Sequence, residues 1–118
     1  MLMAVEQKDN SLLATCYQNI GVLYAELHRL EDAKDYYIKA LNLYRIQKNR
    51  PDEAGILQNL GIILDDEDKD KEALGYYLSA LRIYNELKDT LSQAGMYLNL
   101  GSLYEDQEDY PKSLDYYN

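Results

Sequence analysis

The chain has no tryptophan and no phenylalanine, and only one cysteine, one histidine and two prolines. Each scarcity excludes something. A lone Cys16 forms no intrachain disulfide, and with His28 as the sole imidazole it falls short of a zinc ligand set. Two prolines and six glycines in 118 residues leave little to break a helix, and Ala, Leu, Glu and Lys are plentiful. Basic residues are also short. There are 12 Lys and Arg against 21 Asp and Glu, a formal charge of −9. Phosphate backbones need a basic footprint, so no nucleic acid is expected as a direct partner, and no anionic membrane surface. A basic or neutral peptide is the electrostatically easier guest. No apolar run approaches the length of a membrane span. The opening MLMAVEQKDN lacks the basic start, sustained apolar run and cleavage site of a signal peptide.

What is present is repetition. Hydrophobic residues make up 47% of the chain, enough for one continuous core. Gly21, Gly61 and Gly101 are spaced by forty, as are Asn19, Asn59 and Asn99. The pair Tyr36–Tyr37 returns as Tyr76–Tyr77 and Tyr116–Tyr117, and Lys8, Lys48 and Lys88 keep the same interval. Ala33, Ala40, Leu41 and Tyr44 match Ala73, Ala80, Leu81 and Tyr84. Coincident series at this period are the signature of a repeat architecture.

Each repeat divides into two helices. Tyr17, Ile20, Gly21 and Tyr24 share one side of the first at helical spacing. After a turn around residues 28–31, Ala33, Tyr37, Ala40, Leu41 and Tyr44 mark the second. Small residues let the two approach, and tyrosines fill the space beside them. The pattern predicts helix A over 11–27, 51–67 and 91–107, and helix B over 30–47, 70–87 and 110–118. Pro51 and Pro111 fall in the expected first turns, where a missing N–H costs nothing. Met1, Met3 and Ala4 align with Leu41, Leu43 and Tyr44, so residues 1–10 read as the tail of a preceding repeat. Repeat 1 then covers 11–50, repeat 2 covers 51–90, and an incomplete repeat 3 covers 91–118, all within one domain. Solenoids normally end in capping elements. The chain therefore reads as a fragment of a longer protein with apolar faces open at its ends.

These residues resemble tetratricopeptide repeats. The pattern runs Tyr17, Ile20-Gly21, Tyr24, Ala33, Tyr37, Ala40, then Leu57, Leu60-Gly61, Leu64, Ala73, Tyr77, Ala80, then Tyr97, Leu100-Gly101, Tyr104 and Tyr117, with Ser113 in place of the first alanine. The forty-residue unit is longer than the family's usual period of about thirty-four, and the frequent proline after helix B is missing. In these respects it is similar to the variant in cell-polarity scaffolds and kinesin light chains. It is similar also to repeats of bacterial sensor kinases, transcription regulators and peptide-pheromone receptors. The resemblance implies an all-α, right-handed superhelical solenoid of about three antiparallel helix pairs. It favours a cytoplasmic setting.

Placing Tyr17, Ile20, Gly21 and Tyr24 against helix B turns Thr15, Asn19, Val22 and Glu26 the other way. In this family that side is the concave groove. The equivalents are Gly55, Asn59, Ile62 and Asp66, then Gly95, Asn99, Ser102 and Asp106, with Gln18 and Gln58 beside the asparagines. An asparagine amide bonds both the C=O and the N–H of a guest backbone. One per repeat would form a ladder that holds a peptide without reading its side chains, as related repeats do. Alternatively each asparagine bonds a neighbouring helix and maintains the stacking, and the two roles are compatible. The stripe carries no Lys or Arg, so the family's carboxylate clamp is not expected. Glu26, Asp65, Asp66, Glu105 and Asp106 instead form an acidic edge that invites Lys or Arg or is simply solvated. Val22 and Ile62 offer apolar contact. Gly55 and Gly95 cost their helices about 0.5–1 kcal/mol each relative to alanine, offset by tight helix packing or by a closely approaching guest, with packing favoured.

Other candidates carry less. Cys16 aligns with Ile56 and Met96 and is expected to be a buried hydrophobe, with Leu23 and Leu27 on the same repeat-facing flank. His28 has no Ser or Cys placed for a triad. DDEDKDKE lacks the glycine and ligand spacing of a calcium loop. No cofactor, metal or catalytic residue is expected. The sequence reads as a non-catalytic module that binds a peptide or partner segment in its groove. The alternative is a structural spacer or self-association element of a larger bacterial signalling or regulatory protein.

Overall fold

A computed structural model describes residues 2–106 and 108–117, with side-chain surroundings from residue 10 onward. Six helices follow one another: α1 (Leu2–Glu26), α2 (Leu30–Ile46), α3 (Arg50–Asp66), α4 (Asp70–Glu86), α5 (Thr90–Asp106) and α6 (Tyr110–Tyr117). There is no strand among the described residues. Helices α2 to α6 lie within one residue of the expected spans. The first differs: α1 begins at Leu2, not near residue 11, and no break separates residues 2–10 from the first repeat. That stretch contains neither Pro nor Gly to interrupt the helical ladder. Gln107, Asn118 and the side chains of Met1, Met3, Ala4 and Lys8, which entered the alignment of repeats, lie outside the described residues.

All five turns between helices use the same device. His28, Lys48, Asp68, Lys88 and Glu108 adopt φ between 55° and 61°. At the first turn His28 N–H donates to the Ala25 carbonyl at 3.0 Å, and Arg29 N–H to the Tyr24 carbonyl at 2.9 Å. These are the paired bonds of a Schellman cap, which satisfies the orphan carbonyls of the last turn. The same pair recurs at the other four turns, for example Lys88 to Asn85 at 3.1 Å and Asp89 to Tyr84 at 3.0 Å. Lys48 and Lys88, repeated at the forty-residue interval, both occupy the left-handed position that reverses the chain. Neither is glycine, so each turn carries a steric cost.

Within a repeat, the crossing is made by tyrosine on glycine. A Cβ built on Gly21 would lie 2.7 Å from the Tyr37 ring, on Gly61 2.6 Å from Tyr77, and on Gly101 2.6 Å from Tyr117. Ala33, Ala40, Ala73 and Ala80 are fully buried along the same seam. Other tyrosines stack beside it. Tyr36 lies 5.9 Å from Tyr17 and 5.6 Å from Tyr24, and Tyr116 lies 5.5 Å from Tyr104. The hydroxyl accounts for Tyr over Phe at two places, where Tyr44 donates to Gln18 Oε1 at 2.7 Å and Tyr117 to Glu105 Oε2 at 3.0 Å.

Between repeats, apolar packing is supplemented by charge. Leu60, Ile56 and Ile63 of α3, and Met96, Leu100 and Leu103 of α5, are buried. Lys34 of α2 reaches Glu67, just past α3, at 2.8 Å and Glu31 at 2.8 Å, and both carboxylates raise its pKa, Glu31 most. Glu53, only 7% exposed, is held by Arg45 Nε at 3.2 Å and Arg50 Nη1 at 3.3 Å. Arg50 also pairs with Glu86 of α4. A carboxylate so buried requires partners of this kind.

Two substitutions separate the kinds of glycine. Gly61→Ala is expected to lose about 1–3 kcal/mol by overpacking against Tyr77. Gly55→Ala, with nothing within 4 Å of the added Cβ, is expected to gain about 0.5–1 kcal/mol from helix propensity. Urea unfolding of both variants checks the pair. By the same measurement Lys88→Gly should stabilise the protein by up to about 1 kcal/mol, because glycine adopts the left-handed conformation without steric cost.

Candidate functional site: the groove along the first helices

The turn between α1 and α2 and the outward side of α3 enclose a cleft of about 490 Å³. Repeat 1 contributes Ala25, Leu30 and Tyr37 to its apolar wall, with His28 at the turn. Repeat 2 contributes Asn59, Ile62, Ile63 and Asp66. Three residues expected at the groove, Asn59, Ile62 and Asp66, therefore share one concavity. Their i, i+3, i+7 spacing on α3 puts them on one side because the Tyr77–Gly61 contact fixes the opposite side against α4. Ile62 remains 40% exposed, a half-open apolar surface rather than core.

The other expected residues are placed as follows. Asn19, Thr15 and Ser102 are exposed, Asn99 and Gln58 half-buried. Thr15 donates its hydroxyl to the Ser11 carbonyl at 3.1 Å, one turn back along α1. The Nδ2 of Asn99 is shut off from solvent and has no hydrogen-bond partner. Gln18 is committed elsewhere, since its Oε1 accepts from Tyr44 across the α1–α2 seam. Val22 is half-buried against the core, less available than Ile62.

Two expectations are corrected. Cys16 is exposed, not buried. Its equivalents Ile56 and Met96 are buried because α2 and α4 pack over them, whereas no described helix covers that flank of α1. Leu23 and Leu27, 60% and 66% exposed, share its situation, while Ile63 and Leu103, the equivalents of Leu23, are buried. Gly55 and Gly95 were expected to serve helix packing, yet a Cβ on either meets nothing within 4 Å. Packing does not account for them.

Part of the acidic edge gathers around one member, Asp65. Glu26, Asp66, Glu105 and Asp106 are exposed, and Asp65 is half-buried. Burial, with Asp106, Asp70 and Asp66 nearby, pushes the Asp65 carboxyl up to about 6. Burial first, then Asp65, Asp66 and Asp106, likewise raises the Tyr77 phenol above its ordinary range. Asp70 was missed as a member of this group, as were Ala25, Leu30 and Tyr37 at the cleft. Ala25 lies in the last turn of α1, whereas Asp70, Leu30 and Tyr37 belong to second helices. A periodicity argument confined to the first helix of each repeat does not reach those three.

Comparison with known proteins agrees with this architecture. A family model described as tetratricopeptide repeat matches residues 12–86, and a second of the same description matches residues 94–118. The chain belongs to the tetratricopeptide-repeat family. Repeats of this family are in general non-catalytic modules for protein–protein interaction. Among solved structures, the chain is similar to BtubC (BKLC) from P. vanneervenii at 28% identity and TM-score 0.82, covering 91% of this chain and 44% of that one. It thus spans less than half of that protein's length. The TPR domain of Arabidopsis FLU aligns at TM-score 0.85 and 20% identity over 92% of this chain and 91% of that one. The N-terminal domain of stress-induced protein-1 (STI-1) from C. elegans aligns at TM-score 0.73 and 19% identity, covering 87% and 77%. These two similarities are of fold. No curated protein sequence matches the chain.

The Asp65 carboxyl generates a pH prediction. Its folded pKa, about 6, lies above the ordinary aspartate value. Between those values the folded state binds more protons than the unfolded state, so this group's contribution to stability falls as pH rises. The penalty is complete above about 6 and absent below the ordinary value. Asp65→Asn should therefore stabilise the repeats at neutral pH, with the gain vanishing in acid. Urea midpoints of parent and variant across that pH range check the sign.

Proposed function

We propose that this tetratricopeptide-repeat chain is a non-catalytic interaction module that binds a peptide or partner segment in its groove. In this reading Asn19, Asn59 and Asn99 contact the guest backbone, Ile62 supplies apolar contact with a smaller share from Val22, and the acidic edge favours a basic guest. The observation that carries it is the open cleft of about 490 Å³ that brings Asn59, Ile62 and Asp66 together. The Nδ2 of Asn99 is buried and unpartnered, which costs about 1–3 kcal/mol, and turning the amide outward to a guest carbonyl would relieve that cost. Asn59 in the cleft and the open space beside Gly55 and Gly95 support the same reading. Thr15, Gln58 and Ser102 border the path, while Gln18 serves it only indirectly through Tyr44.

A second reading has its own observation. The exposed flank of Cys16, Leu23 and Leu27 on α1 would suit a spacer or self-association element that stacks on other repeats within a larger signalling or regulatory protein. A cytoplasmic setting suits both readings.

One selection distinguishes them. Short random peptides displayed on phage would be selected against the chain and counter-screened against the Asn19→Ala, Asn59→Ala, Asn99→Ala variant, after circular dichroism shows the variant folded. A groove ladder predicts peptides that lose at least about 2 kcal/mol on the variant, at roughly 1 kcal/mol per hydrogen bond. Peptides indifferent to the three changes would refute the ladder. Concentration-dependent assembly without any guest would favour the spacer.

A further inference from the structure

Chemistry along the groove is not uniform. The first junction, between repeats 1 and 2, forms the cleft whose wall includes Ala25, Leu30 and Ile62. The forty-residue register places Asp65, Asp70 and Ser102 at the corresponding positions of the second junction, between repeats 2 and 3. His28 is replaced by Asp68, and Asp66 by Asp106. One junction is an apolar cleft with a single carboxylate. The next has four carboxylates at the same places, and the asparagine beside them is Asn99, whose amide is buried and unpartnered.

The distribution of cations sharpens this contrast. Among the described residues, Lys34, Arg45 and Arg50 are engaged with Glu31, Glu67, Glu53 and Glu86 between or beside the helices. Lys69 lies 3.9 Å from Glu67, and Lys39 sits over the Tyr36 ring at 4.8 Å. No ion pair forms with Asp65, Asp66, Asp70 or Asp106 within the described residues. Burial, and after it these neighbouring carboxylates, is why Asp65 holds its proton to about 6. The missing countercharge is the complement a guest would bring.

We propose that the groove reads its guest in one direction, seating an apolar side chain in the cleft between repeats 1 and 2 and a Lys or Arg side chain over the carboxylates between repeats 2 and 3. The asparagines hold the backbone between these two anchors, so the apolar and cationic residues stand at a constant offset and in a constant order. This inference rests on the peptide-binding reading above. It adds to that reading the guest's polarity and its two anchor types.

The test uses the same random-peptide display on the parent and on two folded variants. Asp65→Ala with Asp70→Leu gives the second junction the two apolar residues that stand there in the first, and Ile62→Ser gives the first the serine of the second. Parent-selected peptides should pair an apolar residue with Lys or Arg at one offset and in one order. In a selected peptide, Lys→Ala should weaken binding to the parent about tenfold and leave binding to the double variant unchanged. The Ile62→Ser pool should keep the cation and lose the apolar preference. Peptides that depend on the asparagines but show no fixed order, or keep their cation preference on the double variant, would overturn this inference and leave the groove reading intact. If no peptide is retained by the parent, both fall.

Discussion

The contact between a tyrosine ring and a bare glycine backbone organises this molecule. Where Tyr37, Tyr77 and Tyr117 lie on Gly21, Gly61 and Gly101, a single added methyl would intrude to 2.6–2.7 Å. Such a contact fixes both the separation and the rotation of the paired helices, because the ring fits only where no Cβ stands. Once one side of α3 is fixed against α4, helical geometry determines what the other side presents. Asn59, Ile62 and Asp66 face the cleft for that reason. The site is a consequence of the crossing on its far side.

Stacking one repeat upon another follows different physics. Buried aliphatic residues such as Ile56, Leu60 and Leu100 supply the non-directional part. Lys34 with Glu67, and Arg45 and Arg50 with Glu53, supply registration. These pairs engage cations that the acid-rich chain has in short supply, and the excess negative charge is left concentrated near Asp65. That carboxyl and the unpartnered Asn99 amide are both unfavourable features in the isolated protein. Such local violations of polar satisfaction concentrate at functional sites, where a bound partner relieves them. A second unpartnered amide, Nε2 of Gln47, lies just past the end of α2, while seam groups such as Gln18 and Glu53 are matched.

The two classes of groove contact have different consequences for recognition. Amide contacts to a backbone tolerate many side chains, so in the proposed reading affinity from the asparagine series would be spread across sequences. An apolar cleft and a patch of carboxylates discriminate by burial and by charge. A repeat protein needs only a few substitutions between otherwise equivalent positions to combine them. Ala25 against Asp65, and Ile62 against Ser102, are substitutions of this kind.

The helix pairs, their near-exact spans and the residues of each seam were legible in the sequence, because a tyrosine, a glycine and alanines at helical spacing leave one packing solution. The stripe bearing Asn59, Ile62 and Asp66 was legible for the same reason. What the sequence alone could not supply was everything contributed across a turn or by a neighbouring repeat. Cys16 aligns with two core residues yet is exposed, because burial depends on whether another helix lies over a position and not on the residue itself. Gly55 looked like a packing glycine until its surroundings proved empty. Asp70 joins Asp65 only because the turn between α3 and α4 folds it back, and Gln18 leaves the groove only because Tyr44 reaches it. Periodicity determines which side of a helix a residue occupies. Which groups meet it there, at what distance and with what charge, is decided by the tertiary structure.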